Sequence, residues 1–367
     1  MAASRALRAL LVANDGFSAG HVARTVAVAR ALTRRSRARG ISVQLLLATT
    51  SEAHPLLDDE SFAVVRLPAP VAARRAGFAD AERRRLVRGA LAGACEAFGP
   101  DLVVADTSPS GPHGELAGVG LGHAKRALVR RSVPVARAED DVLAAGLRDH
   151  DVAIVTDDPG PIDVSLPIRT VRVPPITLGE AADALSRDEA RTALGLPAEG
   201  RAVLVAAGGG GDAEAAARAT ALAEAALRLA PDLVVVRAVG PLERAGKVDA
   251  GQRPLHVRVA PLQPLLAAFD GAFSPAGYNT AHELAKAGVP AALFAQPRSF
   301  DDQAARASRF AERGLAFALD RFEDAALSAA LEWMATAPRP SLEAGGADRA
   351  ADVLLDLVMR KAEGGAR

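Results

Sequence analysis

Along most of this 367-residue chain, short runs that are apolar on both faces alternate with longer Ala/Leu/Arg stretches spaced for helix. A strand with one wet face alternates polar and apolar side chains. A run without that alternation must be covered on both sides, and covered strands separated by helices belong to a parallel sheet wrapped in helices. The spacing predicts strands at Leu7–Ala13, Ser42–Ala48, Ala63–Leu67, Leu102–Ala105 and Val152–Thr156, and helices over His21–Arg37, Asp80–Phe98 and Gly114–Arg130. Residues 157–179 are rich in proline and poor in helix formers, and read as a connector. The alternation then resumes. Strands are expected at Ala202–Ala206, Leu233–Ala238, Leu255–Val259, Gly271–Ser274 and Ala291–Phe294. Helices are expected at Ala213–Leu229, Pro261–Ala268, Asn279–Ala287 and Asp302–Arg313, with a closing amphipathic helix at Ala347–Glu363. The expectation is an α/β chain of two Rossmann-like, doubly wound domains, 1–172 and 173–345, and a terminal helix in 346–367 that packs back on the first.

Composition narrows the function classes. Lys plus Arg and Asp plus Glu are both 44, so no surplus of positive charge points to nucleic acid. Cys95 is the only cysteine, which excludes an internal disulfide and a cysteine-based zinc site and suits a reducing compartment. The apolar run Ala9–Ala13 is too short for a secretory core or a membrane span, and Asn14-Asp15-Gly16 ends it. The chain is expected in the cytoplasm. Arg74, Arg75, Arg83–Arg85 and Arg88 flank an apolar helix face, which reads first as a solvated face and second as a peripheral contact with anionic lipid.

At the first strand's carboxyl edge, Asn14-Asp15-Gly16-Phe17-Ser18-Ala19-Gly20-His21 leads into a helix. Ligands bind at that edge of a parallel sheet. Gly16 and Gly20 permit turns barred to other residues, and Phe17 and Ser18 lie between them. His21 falls in the helix's first turn, where the positive helix end disfavours its protonation and leaves an imidazole able to take a proton from a hydroxyl. An ordinary strand-to-helix turn explains the same residues. The spacing is not G-x-G-x-x-G, and the second strand ends in Ala48-Thr49-Thr50 rather than in an acid for a ribose. A second polar loop, Asp106 to Glu115, follows strand Leu102–Ala105 and offers Asp106, His113 and Glu115. His21 and Asp106 are the candidate catalytic residues; Gly16, Phe17, Ser18, Gly20, His113 and Glu115 are candidates for lining the acceptor side.

The sharpest segment runs from Phe273 to Pro290: a strand, the turn Ala276-Gly277, and a helix opening at Tyr278 or Asn279. Backbone N–H groups at such a helix start hold a diphosphate, and Thr280 adds a hydroxyl. Glu283 lies on Thr280's face, where a carboxylate accepts two hydrogen bonds from a ribose diol. Asp302 and Gln303, after strand Ala291–Phe294, suit sugar hydroxyls; a helix-start charge pair is the bland alternative. Gly208, Gly209 and Gly210 lie in a loop where backbone can approach a ligand, and Leu262 falls where a nucleobase can stack; a slack connector and a core-facing turn explain those equally well.

Gly277-Tyr-Asn-Thr280, Glu283, Gly288-Val-Pro290, Asp302-Gln303, Ala307 and Gly314 together resemble the donor signature of GT-B glycosyltransferases, and the segment Gly16–Arg24 resembles their amino-terminal Gly-His loop. The wording is similar to a bacterial group of predicted glycosyltransferases related to the lipid-linked N-acetylglucosamine transferase of peptidoglycan synthesis. The resemblance implies two domains facing across a cleft. It implies a nucleotide-sugar donor, UDP-linked, on the second domain and a small-molecule or lipid-linked hydroxyl acceptor on the first. It implies an inverting, metal-independent hexose transfer with no resident cofactor. By the resemblance Glu283 holds the ribose, Gly277 and Thr280 the diphosphate, Asp302 and Gln303 the sugar, and His21 serves as base. Two departures stand out: Ala276 replaces the first glycine of the usual pair, and Gln303 is followed by Ala-Ala-Arg306 instead of Asn-Ala. A nucleotide-sugar epimerase or hydrolase, with Asp106 and Glu115 as acids, and a non-catalytic sugar-nucleotide binder remain as alternatives.

Overall fold

The computed structural model describes residues 5–13, 19–59, 61–111, 114–131, 146–158, 166–179, 183–209, 211–243, 253–298 and 301–363. The described residues within Met1–Asp157, Ile162–Ile176 and Gly345–Arg367 form one compact unit, and those within Asp158–Pro161 and Thr177–Ala344 form a second.

The amino-terminal unit contains β1 (Leu7–Ala13), α1 (Gly20–Ala38), β2 (Val43–Thr49), α2 (His54–Leu57), β3 (Ala63–Arg66), α3 (Pro70–Arg75), α4 (Asp80–Phe98), β4 (Leu102–Asp106), β5 (Lys125–Arg130), β6 (Val152–Thr156) and β7 (Thr170–Val173). Its seven strands pair in the order β3-β2-β1-β4-β5-β6-β7, all parallel. The carboxy-terminal unit contains α5 (Arg187–Leu194), β8 (Ala202–Ala206), α6 (Ala213–Leu229), β9 (Val234–Ala238), β10 (Leu255–Val257), a 3-10 turn (Gln263–Ala268), β11 (Gly271–Pro275), α7 (Tyr278–Lys286), β12 (Ala291–Phe294), α8 (Gln303–Glu312), β13 (Phe317–Ala318) and α9 (Asp324–Thr336). Its six strands run β10-β9-β8-β11-β12-β13, again parallel. The last helix, α10 (Gly346–Glu363), belongs to the amino-terminal unit.

The central strands are buried on both faces, as their mainly apolar runs require: every residue of β4, β8, β11 and β12 is buried. Local chemistry sets the helix ends. Asp212 accepts from the N–H groups of Glu214 and Ala215 at the start of α6, and Ser186 and Glu189 bond reciprocally at the start of α5. Gly99 ends α4 in the left-handed region.

One expected helix is overturned. Residues 114–130 form a turn followed by β5, not a helix. Gly114, Gly118 and Gly122 sit at φ +70°, +74° and +54°, outside helical space, and the six residues of β5 that follow fill the sheet between β4 and β6. A strand, β7, also lies inside the segment read as a connector; Thr170-Val-Arg-Val173 has the β-branched alternation of an edge strand.

Helix α10 covers α1. Ala350, Ala351, Leu354 and Leu355 are wholly buried. Asp348, Asp352 and Asp356 recur every four residues along one face of α10 and meet the arginines at the end of α1. Arg34 donates to Asp348 at 2.8 Å, Arg35 forks onto Asp352 at 2.9 and 2.8 Å, and Arg39 reaches Asp352 and Asp356, both at 2.6 Å. Exposed ion pairs give register more than stability. We therefore expect Leu354→Ala to lower unfolding stability by about 3 kcal/mol in chemical denaturation, and Asp352→Asn to move the midpoint far less; the reverse order would show that the charges hold α10 in place.

Candidate active site

In each sheet the chain first builds outward on one side of the opening strand, then returns to that strand's other flank. At that reversal the connections leave in opposite directions, and a crevice opens at the carboxyl ends of the two strands. In the amino-terminal unit the reversal lies between β1 and β4. In the carboxy-terminal unit it lies between β8 and β11.

The first crevice carries His21, at the start of α1, and Asp106, the last residue of β4. The structure brings them together: His21 Nδ1 contacts Asp106 Oδ2. Arg24, one turn further along α1 and 2% exposed, forks onto the same carboxylate, Nε to Oδ1 at 2.7 Å and Nη2 to Oδ2 at 2.8 Å. Nη2 also donates to Thr107 Oγ1 at 2.7 Å. Burial pushes the Asp106 carboxyl up, but the charges of Arg24 and His21 outweigh it and hold its pKa at about 2. An ionised carboxylate only accepts hydrogen bonds, so the proton of a neutral His21 ring sits on Nδ1 and its lone pair on Nε2. The ring is 25% exposed. Thr107 has φ 64°, the one non-glycine residue in the left-handed region among the described residues. That strain in a β-branched residue, held by Arg24 and by the Val129 carbonyl, marks a site whose surroundings fix it.

Sequence reasoning missed Arg24. The signal was there: residues Val22–Ala29 are buried, and Arg24 is the one charged side chain among them. A buried arginine demands an anionic partner. Glu115 is buried and packs against Gly111, whose φ of +79° lets the loop fold over it. Gly20 opens α1. Gly16, Phe17, Ser18 and His113 lie outside the described residues.

In the second crevice Gly277 caps α7, with Tyr278, Asn279 and Thr280 forming its first turn. The Ala276 N–H bonds the Phe294 carbonyl at 2.8 Å, and Ala276 stays out of the left-handed region, so no glycine is required there. Gln303 approaches Gly277; its Oε1 accepts from the Gln296 N–H at 3.0 Å and its Nε2 donates to Asp301 at 3.2 Å. Asp302 is turned to a different task, capping α8 by accepting from the Ala305 N–H at 3.0 Å. Asp301, rather than Asp302, joins the polar cluster beside Gly277. Glu283 is half-buried and accepts from the Leu178 N–H at 3.4 Å. Burial pushes its carboxyl up, against the Leu178 bond and the Lys286 charge. Gly208 is exposed at φ +85°, the Gly209 carbonyl accepts from Leu242, and Leu262 precedes the 3-10 turn; Gly210 lies outside the described residues.

Among the described residues no group of three or more His, Cys, Asp or Glu side chains is arranged for a metal ion, and no helix is long and apolar enough to cross a membrane. No protein-family profile and no curated protein matches the chain. Solved structures do. CalG4, the calicheamicin glycosyltransferase, is similar at TM-score 0.62 with 20% identity, covering 98% of this chain and 100% of that one. MurG of Acinetobacter baumannii is similar at TM-score 0.57 with 17% identity over 96% and 100% of the two chains. The spinosyn rhamnosyltransferase SpnG, in complex with thymidine diphosphate, is similar at TM-score 0.55 with 18% identity over 96% of each. These likenesses span both units, and what they establish at such identities is architecture: the chain has the GT-B fold found in these glycosyltransferases.

Proposed function

We propose that the protein is a glycosyltransferase that moves a hexose from a UDP-sugar to a hydroxyl acceptor. The observation that carries this reading is the His21–Asp106–Arg24 arrangement at the switch point of the first sheet. It is a base with its tautomer fixed, placed where a parallel sheet takes ligands. The amino-terminal unit activates the acceptor and the carboxy-terminal unit holds the donor. His21 Nε2 takes the hydroxyl proton as the acceptor oxygen forms its bond to the anomeric carbon, and the bond from that carbon to the diphosphate breaks on the opposite face. Configuration inverts, and the proton stays on Nε2 until solvent removes it. Charge developing on the leaving UDP meets the N–H groups of Gly277 to Thr280 and the helix dipole, which do this work without a metal. That one neighbour was solved with a nucleoside diphosphate supports the donor class.

An epimerase or hydrolase working through acid groups is disfavoured. Asp106, bonded by Arg24, His21 and Thr107 and ionised at neutral pH, is no proton donor. The test is a thermal-shift screen followed by a turnover assay with chelator present. Saturating UDP should raise the melting temperature, because a ligand at 100 times its Kd adds about 2.7 kcal/mol. UDP release from a UDP-hexose should then require an added hydroxyl acceptor. Product formed at the same rate without acceptor would reject transfer, and activity abolished by chelation would reject the metal-independent route.

A further inference from the structure

Arg306 stands where the resembled donor motif has asparagine, and its surroundings give it a task. The side chain, on α8, is 3% exposed and every nitrogen of its guanidinium is used. Nε and Nη2 fork onto Asp158 at 2.8 and 2.7 Å, Nη2 also reaches Asp301 at 2.8 Å, and Nη1 donates to the Ala276 carbonyl at 2.7 Å. The guanidinium carbon lies 5.9 Å from the centre of the Tyr278 ring. Asp158 is 1% exposed and, like Arg306, belongs to the carboxy-terminal unit. Asp158 also lies 3.9 Å from His282 Nε2. The two carboxylates hold Nε and Nη2, which leaves Nη1 directed at the Ala276 carbonyl.

The consequence follows from peptide geometry. The 276–277 peptide is trans, so its C=O and N–H point in opposite directions. The Ala276 N–H is already fixed by Phe294, and Arg306 fixes the carbonyl. With both groups of Ala276 pinned and the peptide trans, the Gly277 N–H is aimed away from Arg306, at the start of α7. An oriented N–H there is worth more than a mobile one because it needs no reorganisation when an anion arrives.

We propose that Arg306 is a positioning residue for the donor: held by Asp158 and Asp301, it clamps the Ala276 carbonyl so that the Gly277 N–H meets the outer phosphate of a nucleoside diphosphate. This rests on the donor-binding reading above and deepens it. Lysine at 306 keeps the charge but cannot hold two carboxylates and a carbonyl with one rigid fork.

The experiment is isothermal titration of the full chain with UMP and with UDP, which differ by the outer phosphate. For Arg306→Lys the UMP affinity stays within about twofold while UDP weakens by about tenfold, the size of one charge-assisted hydrogen bond. Asp158→Asn, which loosens the clamp from behind, gives the same pattern more weakly. Equal losses for both ligands, or none, would overturn the proposal and leave donor binding intact. A wild type that binds neither nucleotide would overturn both. If circular dichroism shows Arg306→Lys unfolded, Asp158→Asn decides: an unchanged UDP-to-UMP affinity ratio rejects the clamp.

Discussion

Asp106→Asn should lower turnover by about 10³- to 10⁴-fold with donor affinity unchanged. The asparagine side chain is close in shape, so the effect tests charge and tautomer. An amide can present N–H to His21 Nδ1, which then takes the lone pair and moves the proton to Nε2, the wrong place for a base. Arg24, buried and forked onto this carboxylate, also loses its counter-charge. Breaking a buried pair from one side costs about 3–5 kcal/mol, so the variant must be assayed below its own melting temperature. His21→Ala should lose turnover comparably, and the double variant should be hardly worse than either, because the two act as one unit. Additive losses would mean that His21 and Asp106 contribute separately. Acid should expose the same linkage. The folded carboxyl, at about 2, lies below its ordinary 3.8. The unfolded chain therefore takes up the proton first, and the stability this group contributes is complete above about pH 4 and lost as pH falls towards 2. A unit whose acid midpoint does not move on Asp106→Asn would contradict the pairing.

Much of the fold was legible because parallel strands buried on both faces cannot hide: Ala9–Ala13, Ala202–Ala206 and Ala291–Phe294 read directly from unbroken apolar runs. The segment 114–130 imitates a helix because Leu116, Val119 and Leu121 recur near helical spacing, while Gly118 between them and Gly114 and Gly122 around them take left-handed φ and prevent one. For the candidate site, sequence singles out His21, Asp106 and Gly277 from their places at strand and helix ends, and Glu283 from its place on Thr280's face of α7. It did not supply Arg24 or the Arg306–Asp158 pair. A buried charge is recognised by its partner, and Arg306 and Asp158 are 148 residues apart in the chain. Nor could it choose between Asp301 and Asp302, because adjacent acids at a helix start differ only in which one turns back to cap it.

Glu283→Gln should pull binding and stability in opposite directions: weaker UDP binding, by about tenfold, and a higher melting temperature for the ligand-free protein. Burial raises the Glu283 carboxyl above its ordinary 4.5, and its Leu178 contact is long at 3.4 Å. The sign follows from linkage. Between the unfolded and folded pKa values the native state holds the proton more tightly, so stability falls as pH rises through that window, and above it the carboxylate is a net cost. Glutamine has no charge to desolvate and removes that cost. A ribose diol reverses the balance, because two hydroxyl donors satisfy an ionised carboxylate better than an amide, and a hydrogen bond to a charged group is worth about 1.5–3 kcal/mol. UDP affinity of the wild type should therefore increase with pH through the raised carboxyl pKa, and in Glu283→Gln that dependence should vanish. Calorimetric titration from acid to neutral pH, alongside melting curves of the ligand-free proteins, reads both effects. If the glutamine variant were less stable and bound UDP as well as the wild type, Glu283 would be a structural acid of α7 and the ribose would need another partner.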